Sequence, residues 1–143
     1  MLRRSSVTRS SPTREMGQPV ATAVIPFTSA DTLLDRALQS VLAIDEIDEI
    51  LLVDDGRGTS NPLDLRSDRA KVIKNSGVQG ALGARLWGMA NASSDLIVFL
   101  DSDDEAIPHG IQKLLNLLRT SPELILGYGN IQLGQRVKEM YPT

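Results

Sequence analysis

The chain has 143 residues with one Trp, two Tyr, two Phe, one His and no Cys, a length that suits one domain. Without Cys there is no disulfide framework, no thiolate-held metal and no thiol nucleophile, and a single His excludes a two-His metal site. The net charge is −3, and since Arg3, Arg4, Arg9 and Arg14 face Glu15 alone before Gln18, the remainder holds 11 basic and 17 acidic residues; an acidic body with five aromatics does not suit nucleic-acid binding.

Residues 1–18 (MLRRSSVTRSSPTREMGQ) are rich in Ser, Thr and Arg with little to bury, and read as a disordered tail ahead of one α/β domain over 19–143. An Arg- and Ser-rich, acid-poor start also fits a transit peptide or contact with an anionic membrane surface, although a solvated tail is the weightier reading. No run of 18 apolar residues occurs, so no transmembrane segment is expected. A cytoplasmic chain, with membrane contact limited to the periphery, is the expected location.

Val20 to Ile25 reads as a buried strand ended by Pro26. Leu33, Leu34, Ala37, Leu38, Val41 and Leu42 follow at helical spacing, with Asp31 or Thr32 as cap. The acidic run Asp45, Glu46, Asp48, Glu49 reads as a solvated loop leading into a second strand, Glu49 to Val53, which Asp54-Asp55-Gly56 stops. After a polar stretch to Arg69, Lys71 to Lys74 is a third, weaker strand. Ala81 to Ala92 looks helical, although Gly83 and Gly88 each cost it about 1 kcal/mol relative to Ala. Leu96 to Leu100 is the clearest buried strand, followed at once by Asp101-Ser102-Asp103-Asp104. Pro108 opens a helix whose apolar face is Ile111, Leu114, Leu115 and Leu118; Pro122 ends it, and Leu124 to Leu126 are expected to begin a fifth strand.

Strands alternating with helices predict βαβ units, a mainly parallel sheet and helices on both faces. Right-handed crossovers place every strand's C-terminal end on one edge, which is where ligands bind in such sheets. Asp54-Asp55 and Asp101 to Asp104 both stand just past strand ends. Carboxylates as close as Asp101, Asp103 and Asp104 repel and raise one another's pKa unless a cation compensates. A hard divalent ion, Mg²⁺ or Mn²⁺, relieves that repulsion and keeps positions open for substrate phosphates. The plainer reading of the cluster, a solvated acidic turn, loses weight because a second acidic pair shares its edge.

Asp54-Asp55-Gly56 is either a common turn or a carboxylate that accepts from a nucleobase N–H or ribose hydroxyl. Arg85 could present its fork to a phosphate or stand as a surface residue. Gly77, Gly80 and Gly83 do not form a dinucleotide fingerprint, because their spacing is wrong and they follow the third strand. His109 is read as a solvated surface residue and Trp87 as packing. An EF-hand beginning at Asp101 fails at Ala106 and Gln112. A D-x-D phosphatase with Asp101 as nucleophile is disfavoured, because Glu105 stands where Thr or Val is needed and the motif lies on the fourth strand.

Val24-Ile25-Pro26-Phe27, Leu38-x-Ser40-Val41-Leu42, Glu49 to Gly56, Asn75-x-Gly77, Ala84-Arg85 and Phe99 to Asp104 with Pro108 come in one order. Together they resemble family 2 glycosyltransferases, which have the GT-A fold, over about residues 20–130. The resemblance implies a GT-A (Rossmann-like) sandwich and transfer, with inversion, of a sugar from a nucleotide-diphosphate donor, UDP-sugar foremost, to an acceptor the sequence does not identify. It implies that Pro26 lines the nucleotide pocket, Asp54 or Asp55 holds base or ribose, Arg85 touches the phosphates, and Asp101 and Asp103 bind ribose and an Mg²⁺ or Mn²⁺ ion. Thr28 and Leu86 stand where the family usually has Asn. Family members usually continue for about a hundred more residues, which carry the acceptor site and the catalytic base. An apparently truncated, donor-binding half is therefore expected, with the base beyond the C-terminus and with self-association or a partner chain. The alternative is an inactive or split nucleotide-binding remnant acting as an interaction module.

Overall fold

The computed structural model describes residues 1–3, 21–56, 65, 67–129, 131–133 and 136–138. Its main sheet comprises β1 (Leu2–Arg3), β2 (Ala21–Phe27), β3 (Ile47–Asp54), β4 (Ala70–Lys74) and β5 (Leu96–Phe99). Three helices, α1 (Thr32–Leu42), α2 (Ala81–Asn91) and α3 (Pro108–Thr120), alternate with the strands, and a small ladder of β6 (Ile131–Leu133) and β7 (Arg136–Lys138) follows. The sheet order is β1-β5-β2-β3-β4, with β5, β2, β3 and β4 all parallel and β1 antiparallel on the edge. This is the mainly parallel α/β sandwich of the GT-A, Rossmann-like kind that the resemblance implies.

Alternation along the strands sorts the core into two layers. Ile25, Ile50, Leu52 and Val98 face α1 and α3, meeting Leu34, Leu38, Val41, Leu115 and Leu118. Val24, Leu51, Val53 and Ile97 face the other way and meet Ala84 of α2 with Trp87 and Met89. The buried stripe of α1 (Leu34, Ala37, Leu38, Val41) has the spacing expected of one face; a fully buried Leu or Val contributes about 1.5–3 kcal/mol. Asp31 caps α1, its carboxylate accepting from the N–H groups of Leu33 and Leu34. Gly88 has a packing reason. A Cβ there would lie 2.3 Å from Val24 Cγ1 and 3.0 Å from Val53 Cγ2, so its absence lets α2 sit close on the sheet.

Several expectations change. Pro26 does not end the first strand, which runs on to Phe27. Along β2, β5 pairs with Thr22 to Val24 alone, and Leu100 N–H donates to the Val24 carbonyl. Pro26 lies two residues further along that side, beyond the paired part of β5, where its missing N–H breaks no ladder bond. Leu124 to Leu126 is not a fifth strand of the sheet. Those residues leave α3 through a turn, and Gly127 exchanges backbone bonds with Met1, whose ammonium donates to the Gly127 carbonyl at 3.0 Å. The place beside β5 is taken instead by Leu2–Arg3, from the segment read as a tail. Residues 4–20, the rest of that tail and Val20 of the first strand, lie outside the described residues, as do 57–64 of the polar stretch.

The acidic run before β3 is not wholly a solvated loop. Asp48 and Glu49 belong to β3, and Glu49 is buried. Its Oε2 accepts from Thr22 Oγ1 at 2.7 Å and from Ser93 N–H at 2.8 Å, and its Oε1 from Lys71 Nζ at 2.8 Å and Ser93 Oγ at 3.0 Å. Burial pushes this carboxyl up, but the bonds from Lys71, Ser93 and Thr22 together outweigh it and leave the pKa below its ordinary 4.5.

Candidate functional site

The C-terminal ends of β2, β3 and β5 open on one cleft of about 230 Å³. Its walls include Pro26, Thr28, Asp55, Ala81, Arg85, Asp101 and Asp103. Five of the six residues singled out in the sequence therefore meet around one space, although they lie up to 77 positions apart.

Asp54 is the exception. It continues the face of Ile50 and Leu52, is buried, and accepts from Gly56 N–H at 2.8 Å, tying the turn after β3. Asp55 follows on the face of Leu51 and Val53, which is the α2 side, and so reaches the cleft. The sequence left the two open; the pleat decides which one faces the cleft. Both Asp55 oxygens are engaged from behind, Oδ1 accepting from Asn75 Nδ2 at 2.6 Å and Oδ2 from Gly80 N–H at 2.8 Å. Asn75 also donates to the Val78 carbonyl and accepts from Gly77 N–H, so this one side chain organises the loop into α2. Gly80 precedes α2 with a φ of 99°, a region that glycine enters without a Cβ penalty. In the sequence Asn75 stands out only as part of Asn75-x-Gly77, and no spacing marks its contact with Asp55.

Asp101 stands two residues past the end of β5, and the chain turns at once, with Asp104 N–H donating to the Asp101 carbonyl. Carboxylate oxygens of Asp101, Asp103 and Asp104 lie within 4.8 Å of one another, and all three residues are exposed. Partial burial, then the charges of Asp103 and Asp101, hold the Asp104 carboxyl above its ordinary 3.8. The turn is pinned to α1, Ser40 Oγ accepting from Ala106 N–H at 2.8 Å and Arg36 pairing with Glu105. Arg85, in the second turn of α2, reaches across the cleft to form an ion pair with Asp101. Hard oxygen donors at this spacing suit a divalent ion of the Mg²⁺ or Mn²⁺ type. His109, at the start of α3, is exposed and is not among the residues lining the cleft. Trp87 packs against the core under α2, as expected.

A parallel α/β sheet with a carboxylate, an arginine and an acidic turn gathered at its C-terminal edge defines a GT-A-type protein. The chain belongs to Glycosyl transferase family 2, whose family model matches residues 22–141. It is 39% identical over 98 residues, 62% of this chain and 29% of the relative, to an uncharacterized glycosyltransferase of Nostoc sp.. It is 29% identical over 123 residues to an uncharacterized glycosyltransferase of Haemophilus influenzae, covering 80% of this chain and 48% of the relative. It is also 27% identical over 122 residues to the Escherichia coli UDP-Glc:alpha-D-GlcNAc-diphosphoundecaprenol beta-1,3-glucosyltransferase WfgD, covering 82% and 48%. The chain thus spans less than half the length of each of these relatives. Among the described residues, no helix is long and apolar enough to cross a membrane.

Proposed function

We propose that this chain binds the donor in a sugar transfer from a nucleotide-diphosphate sugar to an acceptor hydroxyl. The observation that supports it most is the convergence of Pro26, Asp55, Arg85, Asp101 and Asp103 on one cleft. Asp55, held by Asn75 and Gly80, accepts from a base N–H or a ribose hydroxyl. Arg85 presents a fork of N–H groups to the diphosphate. Asp101 and Asp103, with Asp104 beside them, would hold Mg²⁺ or Mn²⁺. Such an ion, when bound, neutralises the charge that develops on the departing nucleoside diphosphate. A UDP-sugar is the favoured donor, in keeping with the activity for which the Escherichia coli relative is named. We assign inversion to the transfer on the family resemblance, and assign the catalytic base to no residue of this chain.

Self-association or a partner chain accords with the exposed apolar residues Val78, Leu82 and Leu86 on and before α2. A cytoplasmic location with peripheral membrane contact remains part of the proposal. A second reading, nucleotide binding without transfer, draws on Thr28 and Leu86 standing where the family pattern carries Asn.

The deciding experiment is calorimetric titration with UDP, GDP, ADP and TDP, with and without Mn²⁺, on protein shown to be folded by circular dichroism. Saturable, metal-requiring binding of one nucleotide is expected. A folded protein that binds none of them would remove the donor-site reading. Binding with no transfer or hydrolysis, partners included, would favour the second reading.

A further inference from the structure

The ion pair across the cleft joins two residues that have different partners in the donor-site reading. Arg85 would meet phosphate, and Asp101 would meet the metal, yet the Arg85 guanidinium donates to an Asp101 oxygen. Asp101 is one of the three residues whose carboxylate oxygens gather within 4.8 Å. Three carboxylates so placed repel, and Arg85 is the cation that reaches Asp101 from α2.

We propose that Arg85 is a resident counter-cation of the acidic turn, paired with Asp101 in the metal-free protein and released toward the diphosphate when a divalent ion takes Asp101. The inference rests on the donor-site reading for its second half only. Its first half, competition between Arg85 and a cation for Asp101, concerns the chain's own residues. The consequence is linkage. The metal frees the guanidinium for phosphate, the phosphate draws it off Asp101, and each ligand raises the other's affinity by the same factor. The pair is open to water, with side chains 31% and 52% exposed, so the factor is modest, about two- to five-fold.

The test is calorimetric titration of Mn²⁺ alone into the wild type, Arg85→Gln, Asp101→Asn and the double variant, followed by inorganic pyrophosphate alone. Arg85→Gln should bind Mn²⁺ about two- to five-fold more tightly than the wild type. In the Asp101→Asn background the same substitution should give no such gain, because the partner is gone. Asp101→Asn should bind metal-free pyrophosphate more tightly than the wild type, since Arg85 is then released; this arm stands if Arg85→Gln does not fold. Unchanged or weaker Mn²⁺ binding by folded Arg85→Gln overturns the proposal. So does an equal gain in both backgrounds, which would mean general charge repulsion rather than this pair. Failure of nucleotides to bind the wild type would strike the donor-site reading, while the Mn²⁺ arms would still decide the pair.

Discussion

Asn75 Nδ2 donates to Asp55 Oδ1 at 2.6 Å, so a side chain just past β4 sets the carboxylate just past β3. The same Asn75 accepts from Gly77 N–H and donates to the Val78 carbonyl, and Asp55 in turn accepts from Gly80 N–H. The entry to α2 and the orientation of Asp55 are therefore one structure. Asn75→Ala should leave Asp55 held less firmly, by Gly80 N–H without the Asn75 amide, and cost nucleotide affinity about 1 kcal/mol, roughly five-fold. Calorimetry with the nucleotide that the wild type binds checks this. Unchanged affinity would mean that Asp55 needs no support from Asn75.

Asp103 lies on the exposed turn after β5 and lines the cleft. Asp103→Ala should abolish metal-dependent nucleotide binding and leave the circular dichroism spectrum and melting temperature close to wild type. A variant that keeps its metal-dependent affinity would remove Asp103 from the metal site.

Gly88→Ala tests how closely α2 packs on the sheet. The new methyl would meet Val24 and Val53 inside contact distance. Overpacking costs about 1–3 kcal/mol, and the better helix propensity of Ala returns about 1 kcal/mol. Because the methyl would sit well inside contact distance of two packed side chains, the overpacking cost falls in the upper part of its range, about 2–3 kcal/mol, and a net loss of about 1–2 kcal/mol is expected from urea unfolding. An unchanged midpoint would contradict the close approach of α2 to β2.

Glu49 links β2, β3, β4 and the turn before β5 through Thr22, Lys71 and Ser93. Glu49→Ala leaves these partners without their acceptor and should cost about 1–3 kcal/mol. The pH dependence follows from the direction of its shift. With the folded pKa below the unfolded value of 4.5, the contribution of Glu49 is complete above that value and is lost as pH falls through the lower, folded one. Urea midpoints measured from neutral pH downward should therefore drop in the wild type below about pH 4.5, with a shallower drop in Glu49→Gln. Parallel curves would show that Glu49 has the same pKa folded and unfolded.

How far this was readable differs from residue to residue. The apolar runs of β3 and β5 and the stripe of α1 are local patterns, and they became the elements they predict. The strand at Leu2–Arg3 carries no such pattern; it forms against the edge that β5 leaves open, a pairing partner more than 90 positions away. Glu49 looked solvated because its neighbours Asp45, Glu46 and Asp48 are acidic. Its burial depends on donors from three other segments.

What the sequence by itself determined is the order of the elements from β2 to α3, the family pattern, and the placing of two acidic turns at the ends of strands. Those follow from hydrophobic period and chain order, which act over a few residues. Only the tertiary structure decided that Asp55 rather than Asp54 faces the cleft, that Asn75 holds it, and that Arg85 closes on Asp101. Those outcomes depend on which face of a strand meets which helix and on partners separated by 16 to 20 positions. Only packing the helices on the sheet brings such partners into contact.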